Sequence, residues 1–209
     1  MEKQEQRDWS YFALLLVDIQ QSFWSERGKP DFPDFPANVV HLLTLCRAEG
    51  LEVIHVQSRF QPDKSDWMLM YRLRVPVSHH PCIAGQKGAE PVSFAGVKAG
   101  EEVVFKQTFD AMYTPYLVSY LRANDKRVIL VAGLLTSVCV FFTAISASQL
   151  GFFAAVVEDC CADNSLEKHT QTLDAYQFIF ERTTVADIPE QHAKWLTALA
   201  ELDELEVTA

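Results

Sequence analysis

The stretch "VILVAGLLTSVCVFFTAISASQLGF" (residues 128–152) begins as an unbroken apolar run of strand length. It breaks at Gly133 and resumes as a helix rich in small residues, with Cys139 near its first turn. An apolar run without alternation is what a strand covered on both faces requires. A buried strand passing through a tight turn into a helix is half of a strand–helix–strand unit, which implies a parallel sheet.

Outward from this stretch the same alternation recurs. "YFALLLVD" (11–18) reads as a first strand ending in a carboxylate. "PANVVHLLTLCRAEG" (36–50) reads as a helix with Pro36 near its start and Gly50 stopping it. "LEVIHVQS" (51–58), "EEVVFK" (101–106), "KRVILVAG" (126–133), "FFAAVVED" (152–159) and "RTTVADI" (182–188) supply the other five strands. Helices fall at 114–125, 137–151, 165–180 and 190–205. Residues 59–100, rich in Pro, Gly and His, are expected to form surface loops with short helices, and loops of this length are usually functional or disordered. The expected fold is α/β: a Rossmann-like three-layer sandwich with a mainly parallel six-stranded sheet, in one domain spanning residues 1–209.

Composition narrows the function. The chain has 209 residues, 49% hydrophobic, with a formal net charge of -10 and no Lys/Arg cluster. That balance disfavours nucleic acid and anionic membranes as partners and suits a small molecule. No apolar run reaches membrane-spanning length, and "MEKQEQRDWS" lacks a signal-peptide core, so a soluble, cytoplasmic protein is expected. Five cysteines without CxxC spacing fit a reducing compartment rather than a disulfide framework.

In a parallel sheet the ligand crevice lies beyond the carboxyl ends of the strands. Asp18 ends the first strand, Lys106 ends the third, and Cys139 opens the helix after the fourth, so all three belong to one sheet edge. A thiol near a helix N-terminus and beside an ammonium is expected to ionise more readily. Asp18 can take its proton and pass it to a leaving amine, and Lys106 offsets the negative charge. Backbone N–H groups of the "GLLTSVC" turn can bind an oxyanion. Taken singly, each residue has a plainer reading: a core cysteine, a capping aspartate, a surface lysine with a buried stem. Those readings leave unexplained why both charges and the thiol share one edge.

These residues resemble the isochorismatase-like cysteine hydrolases, a family that includes amidases, ureide hydrolases and isochorismatase. "LLLVDIQQSFW" (14–24) is similar to the family's D-x-Q-x-x-F opening, "VVFKQTFDAMYTPYL" (103–117) to its lysine segment, and "AGLLTSVCVFFTAISASQLGF" (132–152) to its G-x-x-T-x-x-C-V stretch. "VVEDCCAD" (156–163) resembles its strand ending in D-A-C/x-x-D. The resemblance implies nucleophile Cys139, general acid/base Asp18 and supporting Lys106. It also implies a cis peptide between Leu134 and Leu135, an oxyanion hole from the Leu135 and Cys139 N–H groups, and a homo-oligomer.

The departures refine this expectation. Metal-dependent nicotinamidases carry Asp-x-His after the second strand, where this chain reads "HVQSRFQPDKSDW" (55–67). Neither a bound metal nor another cofactor is therefore expected. "HPCIAGQKGAEP" (80–91) resembles a loop of the branch outside the nicotinamidases. The resulting expectation is C–N hydrolysis of a small amide or ureide through a Cys139 thioester. Alternatives are an isochorismatase-type enol ether hydrolase, a thiol-redox protein using Cys139, and a non-catalytic binding member of the fold. Phe23, Trp24, Phe60 and Trp67 are candidate pocket walls, with core or loop packing as the plainer reading. Arg59, following the second strand, is a candidate carboxylate clamp, with an ion pair to Asp63 or Asp66 as its alternative.

Overall fold

The computed structural model describes residues 7–207 apart from 25 and 27. The reading of residues 1–6 as part of a polar start lies outside those described. Six strands, β1 (Phe12–Val17), β2 (Glu52–Ser58), β3 (Glu102–Lys106), β4 (Val128–Leu134), β5 (Phe153–Ala162) and β6 (Glu181–Thr183), form one sheet of order β3-β2-β1-β4-β5-β6. Every pairing is parallel, so the sheet is entirely rather than mainly so. The chain leaves β1 toward β2 and β3 on one side and returns to β4 on the other, which puts the topological switch between β1 and β4.

All six β1 residues are buried, and they divide between two cores. Phe12, Leu14 and Leu16 pack on one face with α1 (Phe35–Glu49) and α6 (Ile188–Val207). Ala13, Leu15 and Val17 pack on the other with α3 (Pro115–Ala123), α4 (Phe141–Gln149) and α5 (Leu166–Tyr176). Period-two alternation sends neighbouring side chains to opposite faces, and both faces are covered. Helix α1 ends at Gly50, whose φ of 76° closes the helix with its N–H on the Cys46 carbonyl. Among the described residues no helix is long and apolar enough to cross a membrane.

Several boundaries differ from the sequence reading. Strand β5 continues past Asp159 to Ala162, because an irregularity opposite Val131 and Gly133 lets the ladder resume at Cys161. Cys160 and Cys161 face opposite ways, each onto one of the two cores. Strand β6 stops at Thr183: the Val185 N–H bonds the Asp159 carboxylate instead of a strand neighbour, and a turn leads into α6. The turn after β4 is a π-helical one, Thr136–Val140, before α4 begins.

The long segment between β2 and β3 folds back over the sheet edge. It holds a short helix, α2 (Leu69–Arg74), and its own small core of Phe60, Trp67, Cys82 and Ile83. Isolated bridges from Phe60 to Ile83 and from Gln20 to Pro91 tie it to itself and to the chain after β1.

Candidate active site

At the switch point the ends of β1 and β4 approach so closely that Gly133 has no alternative. A Cβ there would stand 1.9 Å from the Val17 carbonyl oxygen, and its φ is 131°. The next peptide, Leu134–Leu135, is cis. Across from it Asp18 has a φ of 51°, a conformation unusual for a residue with a Cβ. Its N–H bonds the Val56 carbonyl at 2.8 Å and its carbonyl accepts from Gln20 N–H at 2.7 Å, which holds the bend.

The bend places the Asp18 carboxylate, fully buried, against Lys106. Lys106 Nζ lies 2.6 Å from Asp18 Oδ2 and also donates to Ser58 Oγ at 3.0 Å, Thr108 O at 2.9 Å and Cys139 Sγ at 3.5 Å. Asp18 Oδ1 accepts from the Ser58 N–H at 2.8 Å. Among the described residues Oδ2 has no hydrogen-bond partner of good geometry, the Lys106 ammonium being its neighbour as an ion pair. Gln20 stabilises the frame: its amide donates to the Ser58 and Ala89 carbonyls and accepts from the Ser58 N–H.

The charges answer one another. Burial alone would lower the Lys106 pKa, but the Asp18 charge and Cys139 outweigh it and hold the ammonium above its ordinary value. The thiol behaves contrary to the sequence expectation. Burial, then the Asp18 charge, push the Cys139 pKa well above the usual thiol value, against the opposing pull of Lys106. Cys139 is thus a neutral thiol beside the Asp18 carboxylate.

Further contacts fix the turn that carries Cys139. The Ser137 N–H donates to Asp163 Oδ2 at 2.7 Å, and buried Thr136 bonds His169 Nδ1 through its hydroxyl at 2.8 Å. Cys139 opens onto a cavity of about 220 Å³. Phe23, Phe60, Leu135, Val138 and Phe109 line it with Ser58 and Thr108, and the folded-back segment closes it with Met68, Tyr71, His80 and Pro81.

Of the sequence-predicted residues, Asp18, Lys106, Cys139, Leu135, Phe23 and Phe60 come together here. Trp67 does not line the cavity; it is buried behind His80, ring centroids 3.8 Å apart. Trp24 packs on Phe35 and Phe94 in the core. Arg59 is exposed, with its guanidinium 4.7 Å over the Phe105 ring, and does not reach the cavity. Ser58 explains this: its hydroxyl faces Lys106, so its neighbour on the strand end faces the other way. The sequence reading missed Ser58 and Thr108, both at strand ends of the predicted edge, and His80, for which periodicity offers no signal. Among the described residues no group of three or more His, Cys, Asp or Glu is placed to hold a metal ion.

Comparison with known proteins agrees with this architecture. The isochorismatase domain pattern matches residues 12–187. Maleamate amidohydrolase of Pseudomonas putida is 30% identical over 168 residues, covering 77% of this chain and 76% of that protein. Ureidoacrylate amidohydrolase RutB of Yersinia enterocolitica is 26% identical, covering 70% of this chain and 73% of its own length. The crystal structure of a cysteine hydrolase from Pseudomonas syringae superposes with a TM-score of 0.80 at 21% identity, covering 93% of this chain and 99% of that one, and so supports the fold.

Proposed function

The chain belongs to the isochorismatase family, and from that premise we propose that it hydrolyses the C–N bond of a small amide through a thioester on Cys139. The observation that carries this reading is the buried contact of Lys106 Nζ with both Asp18 Oδ2 at 2.6 Å and Cys139 Sγ at 3.5 Å, beside a cavity that Cys139 lines. The relatives named as maleamate and ureidoacrylate amidohydrolases favour C–N cleavage over enol ether cleavage. A thiol held neutral by burial is also poorly suited to a redox sensor, which depends on a standing thiolate.

In the proposed reaction Cys139 Sγ attacks the amide carbonyl carbon as its proton passes to Asp18. The carbonyl oxygen becomes an oxyanion, for which the Leu135 and Cys139 N–H groups are the assigned donors. Asp18 returns the proton to the amide nitrogen, the C–N bond breaks, and the amine leaves as the carbonyl re-forms into a thioester. A water then attacks that thioester, Asp18 taking its proton. Collapse expels the thiolate, which recovers the proton, and the acid is released. Lys106 stays protonated and balances the negative charge as it moves between carboxylate and sulfur.

The test is ammonia release by the purified chain over a panel of small amides and ureides. Hydrolysis is expected with wild type and should vanish in Cys139→Ala and nearly vanish in Cys139→Ser, whose alkoxide is far harder to form. Turnover by Cys139→Ala close to wild type would refute the mechanism.

A further inference from the structure

The cavity wall carries information about the substrate that the catalytic groups do not. One wall is a run of rings standing edge to face. Phe60 meets His80 at 4.4 Å and 68°, His80 meets Tyr71 at 5.2 Å and 83°, and Tyr71 meets Phe109 at 6.2 Å and 83°. Phe60, His80, Tyr71 and Phe109 all line the cavity. Ring edges and faces arranged this way favour an apolar, planar guest.

Among the described residues lining the cavity, His80 alone could reverse this reading by carrying a positive charge, and it does not. Its Nδ1 lies 2.9 Å from the Pro81 carbonyl, which can only accept, so Nδ1 bears the hydrogen and Nε2 the lone pair. Nε2 is buried without a hydrogen-bond partner among the described residues, and burial lowers the His80 pKa. The imidazole is therefore neutral and has only an acceptor to offer. No Lys or Arg is among the described residues lining the cavity, and the Lys106 ammonium is already committed to Asp18, Ser58, Thr108 and Cys139. A carboxylate entering here would be desolvated beside the Asp18 charge, against apolar walls.

Resting on the amidohydrolase reading above, we propose that the substrate is an amide with an uncharged, apolar, planar acyl group seated against Phe60, Tyr71, His80 and Phe109. This departs from the two named relatives, whose substrates, maleamate and ureidoacrylate, carry a carboxylate. The pocket selects against that charge.

Three pairs of matched probes, in two assays, test it on the full chain. The first assay compares kcat/KM for 4-nitrobenzamide and 4-carboxybenzamide, which share a shape and differ in charge, and for crotonamide against fumaramate. The second compares alkylation of Cys139 by iodoacetamide and iodoacetate, read by peptide mass spectrometry and normalised to the ratio for free cysteine. The uncharged member is expected to win by about tenfold or more in both. Equal or better use of the carboxylate amides, or equal normalised alkylation, would overturn the proposal. The alkylation arm needs no turnover: if no amide is cleaved, it alone decides the charge preference, and the hydrolase reading fails separately.

Discussion

Burial and the Asp18 charge keep the Cys139 thiol protonated at rest, so in the proposed reaction its activation depends on proton transfer to Asp18 during attack. This makes an unusual prediction for Asp18→Asn. Removing the negative neighbour while Lys106 stays should lower the thiol pKa, because one of the two leading causes of its elevation is gone and the ammonium gains the sulfur as its counter-ion. Wild-type alkylation by iodoacetamide should therefore climb only at pH above the ordinary thiol range, and the variant's should climb at lower pH. Amide hydrolysis should move the opposite way and fall by about 10²- to 10⁴-fold, the usual worth of a positioned base. Circular dichroism would confirm that the fold is retained. Slower alkylation with retained hydrolysis would show that Asp18 is not the base.

At the scale of the elements, the site exists because β1 and β4 converge. At Gly133 a Cβ would meet the Val17 backbone of the neighbouring strand, and Gly50 provides the comparison. Both have positive φ, but a Cβ at Gly50 meets nothing within 4 Å, whereas at Gly133 it meets the Val17 backbone. Gly50→Ala should cost about 1 to 2 kcal/mol, the conformational penalty alone. Gly133→Ala adds a steric clash between two central strands and should cost about 4 kcal/mol or more, or abolish folding. Urea unfolding of both variants checks this. Equal destabilisation would mean that the strand ends can separate, and that the spacing of Asp18 from the nucleophile turn is not fixed by the sheet.

For the whole molecule, what could be read in advance depended on whether the cause was local. Strand and helix alternation, the sheet edge shared by Asp18, Lys106 and Cys139, and the end of α1 at Gly50 all follow from periodicity and turn chemistry within short windows. The extension of β5 was hidden because a carboxylate at Asp159 signals a strand end, while an irregularity against β4 carries the ladder on to Ala162. Position along β2 alone makes Arg59 a candidate for the crevice; the alternation that puts Ser58 toward Lys106 turns Arg59 onto Phe105. The thiol pKa departs from the sequence expectation because helix-end and ammonium effects can be inferred from neighbours in sequence, whereas burial depends on the whole fold. The cavity lid was the least legible part. Residues 59–100 show no periodicity, and His80 reaches the cavity through contacts with Phe60, Trp67 and Tyr71 that only the folded segment creates.

The central claim is that the acyl group passes through Cys139. The most direct measurement is mass spectrometry of the full chain, acid-quenched during turnover of the best amide found, with the adduct mapped by peptide. The predicted result is a mass increase equal to the acyl group replacing one hydrogen, on the peptide containing Cys139 and absent from Cys139→Ala. An acyl group mapped to another residue, or continued turnover with Cys139 unmodified under saturating substrate, would contradict it.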